Sequence, residues 1–152
     1  QADLKTFHQF GVYGTAAITL LTVQNTRRVS RVEMIDPALL VEQARAVLED
    51  VPPNAAKTGA LGAAQMIRAV ASLDLPCPLV VDPVMISKHG ASLMEADARE
   101  SLVRELLPKA FLVTPNLHEA AAITGREVTD LDTMKRAADK IAALGARAVL
   151  IK

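Results

Sequence analysis

VVDPVM (residues 80–85) and FLVTPNLHEA (residues 111–120) decide how this chain folds. In the first, the branched apolar run of Leu79, Val80 and Val81 fits a buried strand. It stops on a carboxylate, Asp82, and then a proline. In the second, an apolar run ends at Thr114 and Pro115, and Asn116 and Glu119 follow at once. Two strands that end in polar groups on one edge of a sheet predict a site at that edge. Ligands of open parallel sheets bind beyond the carboxyl ends of the strands.

Outward from these two stretches, strands and helices alternate. Residues 2–10 read as a helix ended by Gly11. The apolar run 16–23 reads as a buried strand, with Gln24, Asn25 and Thr26 directly after it. Residues 29–35 alternate as a half-exposed strand does. Asp36 caps a helix that has Pro37 at its first position and runs to about Asp50. A short strand in AAKTGALG (residues 55–62) leads into a turn, and a helix covers 63–73. Further helices are predicted over 95–107, 117–124 and from Asp130 to Leu144, with strands at 111–113 and 148–151. Strands alternating with helices of ten to fifteen residues argue for βαβ units and a mainly parallel sheet. The strands are apolar nearly throughout, as when helices cover both faces.

Composition narrows the classes. The chain has 152 residues, is 51% hydrophobic and has a formal net charge of zero. That length suits one domain or most of one, and the charge gives no basic excess for nucleic acid or an anionic membrane. No apolar run reaches the ~20 residues that cross a bilayer. Cys77 is the only cysteine, so no intrachain disulfide forms and a reducing, cytoplasmic setting is expected. His8, His89 and His118 have no metal-ligand spacing. No GxxxxGK[ST] loop or GxGxxG fingerprint occurs. The chain starts without methionine and stops at AVLIK inside a predicted strand, so a longer domain is expected.

The polar groups after successive strands are Gln24 with Asn25, Lys57 to Gly59, Asp82, and Asn116 with Glu119. Two readings fit Asn116 and Glu119. They have the spacing of a capping box, and they also sit where a helix N-terminus favours phosphate and oxygen atoms can hold hydrated magnesium. Asp82 is either a turn initiator before Pro83 or a carboxylate that needs a cation, since burying it unpaired is costly. Lys57 pairs with a phosphate or with a carboxylate. Gln24 satisfies loose backbone groups or reads the edge of a heteroaromatic ring. The loop SKHGA (residues 87–91) is a lid or an ordinary surface loop. Cys77, between two prolines, reads as a packed residue and not a nucleophile.

QADLKTF (1–7), GVYGTAAITLLTVQNT (11–26), AAKTGALG, VVDPVM and LVTPNLHEAAAITG (112–125) occur in this order. Together they resemble the hydroxymethylpyrimidine and phosphomethylpyrimidine kinases of thiamine biosynthesis, in the ribokinase-like superfamily. The resemblance implies a three-layer αβα sandwich and a single kinase domain of which residues 1–152 are a part. It implies ATP and magnesium (Mg2+) as cofactors and a small-molecule pyrimidine, 4-amino-5-hydroxymethyl-2-methylpyrimidine, phosphorylated twice. It places Gln24 at the pyrimidine edge, Asp3 on the substrate side, and Ala60 and Val84 along the ring. Asn116 and Glu119 fall on the motif tied to ATP phosphates and the metal, and Asp82 beside the same metal. A homodimer is expected. The family also has a strand and a Gly-rich segment before QADLKTF, and a later Gly-Thr-Gly-Cys stretch with the catalytic cysteine. Neither matches residues 1–152, so no catalytic base is expected among them. DPVM is shared with pyridoxal kinases, which are the nearer alternative. A non-catalytic pyrimidine-binding fragment is the other.

Overall fold

The computed structural model describes residues 1–85 and 96–152. The SKHGA loop and the start of the helix predicted from residue 95 lie outside the described residues. From the amino end, α1 (Ala2–Gln9) precedes a hairpin of β1 (Leu20–Gln24) and β2 (Val29–Met34), then α2 (Pro37–Asp50). Next come β3 (Ala56–Thr58), α3 (Ala64–Ala71), β4 (Leu79–Val81) and α4 (Ala96–Ser101). The chain ends with β5 (Leu112–Val113), α5 (Leu117–Thr124), α6 (Leu131–Ala142) and β6 (Ala148–Val149).

The last four strands form one parallel sheet in the order β3-β4-β5-β6. Thr58 lies beside Val81, Val81 beside Val113, and Val113 beside Val149. Laterally paired residues share a face of the sheet. Thr58, Val81 and Val113 on this face are buried, and the two valines are fully so. The opposite face is only partly covered: Val80 and Leu112 are half-buried and Ala148 is exposed. The apolar strands had predicted cover on both sides; among the described residues one face is buried as far as a half-buried Val149 in β6. The core is filled by Met66 and Ile67 of α3, Leu102, Leu106 and Leu107 after α4, and Ile141 of α6. Full burial of each such side chain contributes roughly 1.5–3 kcal/mol.

Local chemistry accounts for the starts of α2, α5 and α6 and the end of α5. Asp36 accepts the Ala38 N–H at 2.8 Å and Pro37 sits in the first turn of α2. Asp130 accepts the Thr133 N–H at 2.8 Å, and the Thr133 hydroxyl accepts from the Asp130 N–H at 2.9 Å. Gly125 ends α5 in the left-handed conformation that favours glycine, at φ 68°. The helix after residue 95 departs from the sequence reading. It widens into a π turn over Leu102–Leu106 and then a 3-10 turn over Leu107–Lys109. Pro108 has no N–H for the Arg104 carbonyl, so a regular α-helix cannot continue there. The widened turn sets Leu102, Leu106 and Leu107 all inward.

The first strand also departs. The run 16–23 was expected to be a buried strand. It instead contributes β1 to a separate antiparallel hairpin, in which Leu21 and Val23 are 55% and 59% exposed. A short apolar run carries no mark of which sheet it joins. The hairpin is anchored at its base, where Leu20 and Met34 lie against Gly62.

Candidate functional site at the carboxyl edge of the sheet

Backbone pairing continues past the ends of the parallel strands and fixes the residues beyond them. The Thr114 N–H donates to the Val81 carbonyl at 3.0 Å, and the Lys152 N–H donates to the Pro115 carbonyl at 3.0 Å. Asp82 after β4, Asn116 after β5 and Lys152 after β6 therefore share one edge with Lys57 of β3. Lys57 Nζ lies 3.3 Å from Asp82 Oδ2, and Lys152 Nζ lies 3.0 Å from Asp82 Oδ1. Lys57 Nζ also donates to Asp3 Oδ2 at 3.2 Å and to the Thr58 carbonyl at 3.3 Å. The result is an alternating run, Asp3–Lys57–Asp82–Lys152. Only 17% of the Asp82 side chain is exposed. The compensating charge that its burial demands is supplied by two ammonium groups. Of the two partners open to Lys57, the structure gives it carboxylates.

Glu119 lies beside this run. Its carboxylate accepts the Asn116 N–H at 2.8 Å, while Asn116 Oδ1 accepts the Glu119 N–H at 2.9 Å. The capping box is thus present. Glu119 is buried, and burial pushes its carboxyl above the ordinary range; the backbone N–H groups of Asn116 and Met85 pull it back, and the charge of nearby Asp82 adds to the rise. Glu119 and Asp82 are therefore electrostatic neighbours although 37 residues separate them in sequence.

The loops that follow β3 and β4 hold the expected ring-side residues. The Ala60 carbonyl accepts from the Thr19 hydroxyl at 2.7 Å, which ties this turn to the entry of β1. The Val84 N–H donates to the Asp82 carbonyl at 2.9 Å, around a fully buried Pro83. Asp3, Asp82, Asn116 and Glu119 thus gather at one edge, with Ala60 and Val84 on flanking loops. Gln24 stands apart. It is exposed at the far end of the hairpin, opposite Val29 past a break in register. Its side chain makes no hydrogen bond among the described residues. Asn25 shapes the hairpin turn, accepting the N–H groups of Arg27 and Arg28 at 2.9 Å each.

Lys152 was missed in the sequence, although the rule that picks out Asp82 and Asn116, a polar residue directly after a strand, applies equally to it. Thr58 fell inside the candidate stretch from Lys57 to Gly59 without a role of its own: it is buried, and its hydroxyl has no partner among the described residues. Cys77 is excluded from the site by topology. It precedes β4, and five residues at about 3.3 Å each put it ~16 Å from Asp82. Burial also pushes its thiol up, away from a reactive thiolate. Among the described residues no group of three or more His, Cys, Asp or Glu could by itself hold a metal ion. No helix there is long and apolar enough to cross a membrane.

The chain is 46% identical over 154 residues to the hydroxymethylpyrimidine/phosphomethylpyrimidine kinase of Synechococcus elongatus, covering all of this chain and 59% of that protein. The crystal structure of the phosphomethylpyrimidine kinase from Clostridium difficile superposes with a TM-score of 0.91 at 42% identity, over 99% of this chain and 67% of that one. The pyridoxal kinase of Staphylococcus aureus in complex with pyridoxal gives 0.88 at 34% identity, over 99% and 56%. These likenesses put the α/β fold in the three-layer, ribokinase-like class expected from the sequence. The chain spans a little over half the length of most curated relatives it matches. The family model for phosphomethylpyrimidine kinase matches residues 1–152, end to end, and the chain belongs to that family.

Proposed function

We propose that the protein phosphorylates the hydroxymethyl group of 4-amino-5-hydroxymethyl-2-methylpyrimidine, and then the monophosphate, with ATP and magnesium. Residues 1–152 form part of a single kinase domain. The observation that carries this reading is the run Asp3–Lys57–Asp82–Lys152 beside the Glu119–Asn116 box, in a chain matched throughout by the family. Asp3, Ala60 and Val84 take the ring side at this edge, and Gln24 reaches the ring from the hairpin that stands apart from it. Asn116 and Glu119 take the nucleotide phosphates.

Asp82 and Glu119 fit magnesium through water. Both Asp82 oxygens already face lysines, and magnesium keeps several of its waters in such sites. When bound, Mg-ATP supplies the phosphoryl group and offsets its charge. The work of this chain is positioning, which together with charge stabilisation makes up most of the catalysis of phosphoryl transfer. None of residues 1–152 is assigned as the base that activates the hydroxyl. The single cysteine supports a reducing cytoplasm. The exposed Phe10, Tyr13, Leu21 and Val23 support a homodimer in which a second copy covers them.

A pyridoxal kinase is the second reading, favoured by the 0.88 superposition on the Staphylococcus aureus enzyme. A coupled ATP-consumption assay on the full-length protein separates the two. The pyrimidine is expected to exceed pyridoxal in kcat/KM by at least about tenfold, a preference of ~1.4 kcal/mol. The reverse order would favour the pyridoxal reading, and no ATP consumption with either ring would leave a binding role alone.

A further inference from the structure

Helix α1 carries Asp3 but has little else to hold it. None of its residues is buried, and its N-cap, Gln1, makes no side-chain cap bond. Leu4 and Phe7 rest on Gly14, in the segment that follows α1, and neither packs on the main core. Among the described residues, the polar tie from α1 to a distant part of the chain is Asp3 to Lys57, 54 positions away. The Lys57 ammonium has three protons and three acceptors within reach: Asp3 Oδ2 at 3.2 Å, Asp82 Oδ2 at 3.3 Å and the Thr58 carbonyl at 3.3 Å. Its side chain is 26% exposed and starts from a strand inside the sheet register.

We propose that Lys57 is a positioning residue, a strut that fixes α1 against Asp82 and so sets the ring side of the site against its phosphate side. With two hydrogen bonds, to Asp3 and to the Thr58 carbonyl, and an ion pair with Asp82, Lys57 is committed to this bridge and not to reaching a phosphate. Asp82 keeps Lys152 when Lys57 is lost, so the effect falls on Asp3 and α1. The kinetic part of this inference rests on the kinase reading above, and the structural part does not.

The test uses the full-length protein with Lys57→Met, Asp3→Asn and the double variant. Asp3 is half-exposed, so Asp3→Asn breaks the same bridge without threatening the fold. In hydrogen exchange, α1 amides are expected to open roughly tenfold faster in both single variants while β4 is unchanged. In steady-state assays of Lys57→Met, the pyrimidine KM is expected to rise roughly tenfold and the ATP KM to stay within about twofold. The double variant is expected to be no worse than Asp3→Asn alone, as for two ends of one contact. Unchanged α1 exchange in both single variants, equal rises in both KM values, or effects that multiply would each overturn the strut. If the unaltered protein does not turn over the pyrimidine, the kinase reading fails and the exchange measurement alone decides the role of Lys57.

Discussion

Glu119 sits where burial works against its charge. Its carboxyl is held above its ordinary value of 4.5, with burial the largest cause. The folded protein therefore binds this proton more tightly than the unfolded chain does. The stabilisation is complete below the ordinary value and is lost as pH rises from there through the raised value. Glu119→Gln keeps an oxygen to accept the Asn116 N–H and removes the charge. Thermal melts are expected to show that the variant is at least as stable as the parent at pH 7 and lacks this loss between acid and neutral pH. Turnover is expected to fall by well over tenfold, more than ~1.4 kcal/mol, with weaker dependence on magnesium. A Tm several degrees lower at pH 7 would mean that the charge itself holds the fold. Gln24 makes the opposite case. Exposed and without a side-chain hydrogen bond among the described residues, it can become leucine without harm to stability. Gln24→Leu is expected to cost roughly 1–3 kcal/mol of pyrimidine affinity and to leave ATP affinity alone, as read by calorimetry with each ligand.

At the scale of elements, the sequence made legible whatever a few neighbouring residues settle. Asn116 and Glu119, three apart, form the box that their spacing announced, and Asp36 with Pro37 opens α2 as expected. The Asp82–Lys152 pair joins positions 70 apart, and no local pattern marks it. The hairpin was misread because the run 16–23 is as apolar as a core strand while four of the five residues of β1 are exposed. Its anchor, Gly62, is tested directly. Gly62 has φ 73°, and an added Cβ would lie 2.8 Å from Met34 Sδ. Left-handed backbone costs about 1–2 kcal/mol for a residue with a Cβ, and Met34 would also have to move. Gly62→Ala is expected to lower stability by at least that amount in denaturant unfolding. Gly59→Ala, three positions earlier, meets nothing within 4 Å and has no positive φ. It is expected to be neutral or slightly stabilising, which separates the conformational effect from a general intolerance of this turn.

Over the whole molecule, the parallel order β3-β4-β5-β6 turns four separate strand ends into one edge. The sequence showed that the strands ended in polar groups. Their convergence comes from the parallel pairing, which sets Asp82, Asn116 and Lys152 beyond the ends of β4, β5 and β6 and puts Lys57 within β3 where its side chain reaches Asp82. The central claim is that this edge holds both substrates of a pyrimidine kinase. A crystal structure of the full-length protein with the hydroxymethylpyrimidine, magnesium and a non-hydrolysable ATP analogue tests it most directly. The account predicts the ring beside Asp3, Ala60 and Val84 with Gln24 brought to it from the hairpin, the nucleotide phosphates at the start of α5 near Asn116, and the metal reached through water by Asp82 and Glu119. A pyrimidine or nucleotide bound away from this edge, with the Asp3–Lys57–Asp82–Lys152 run untouched by either, would contradict it.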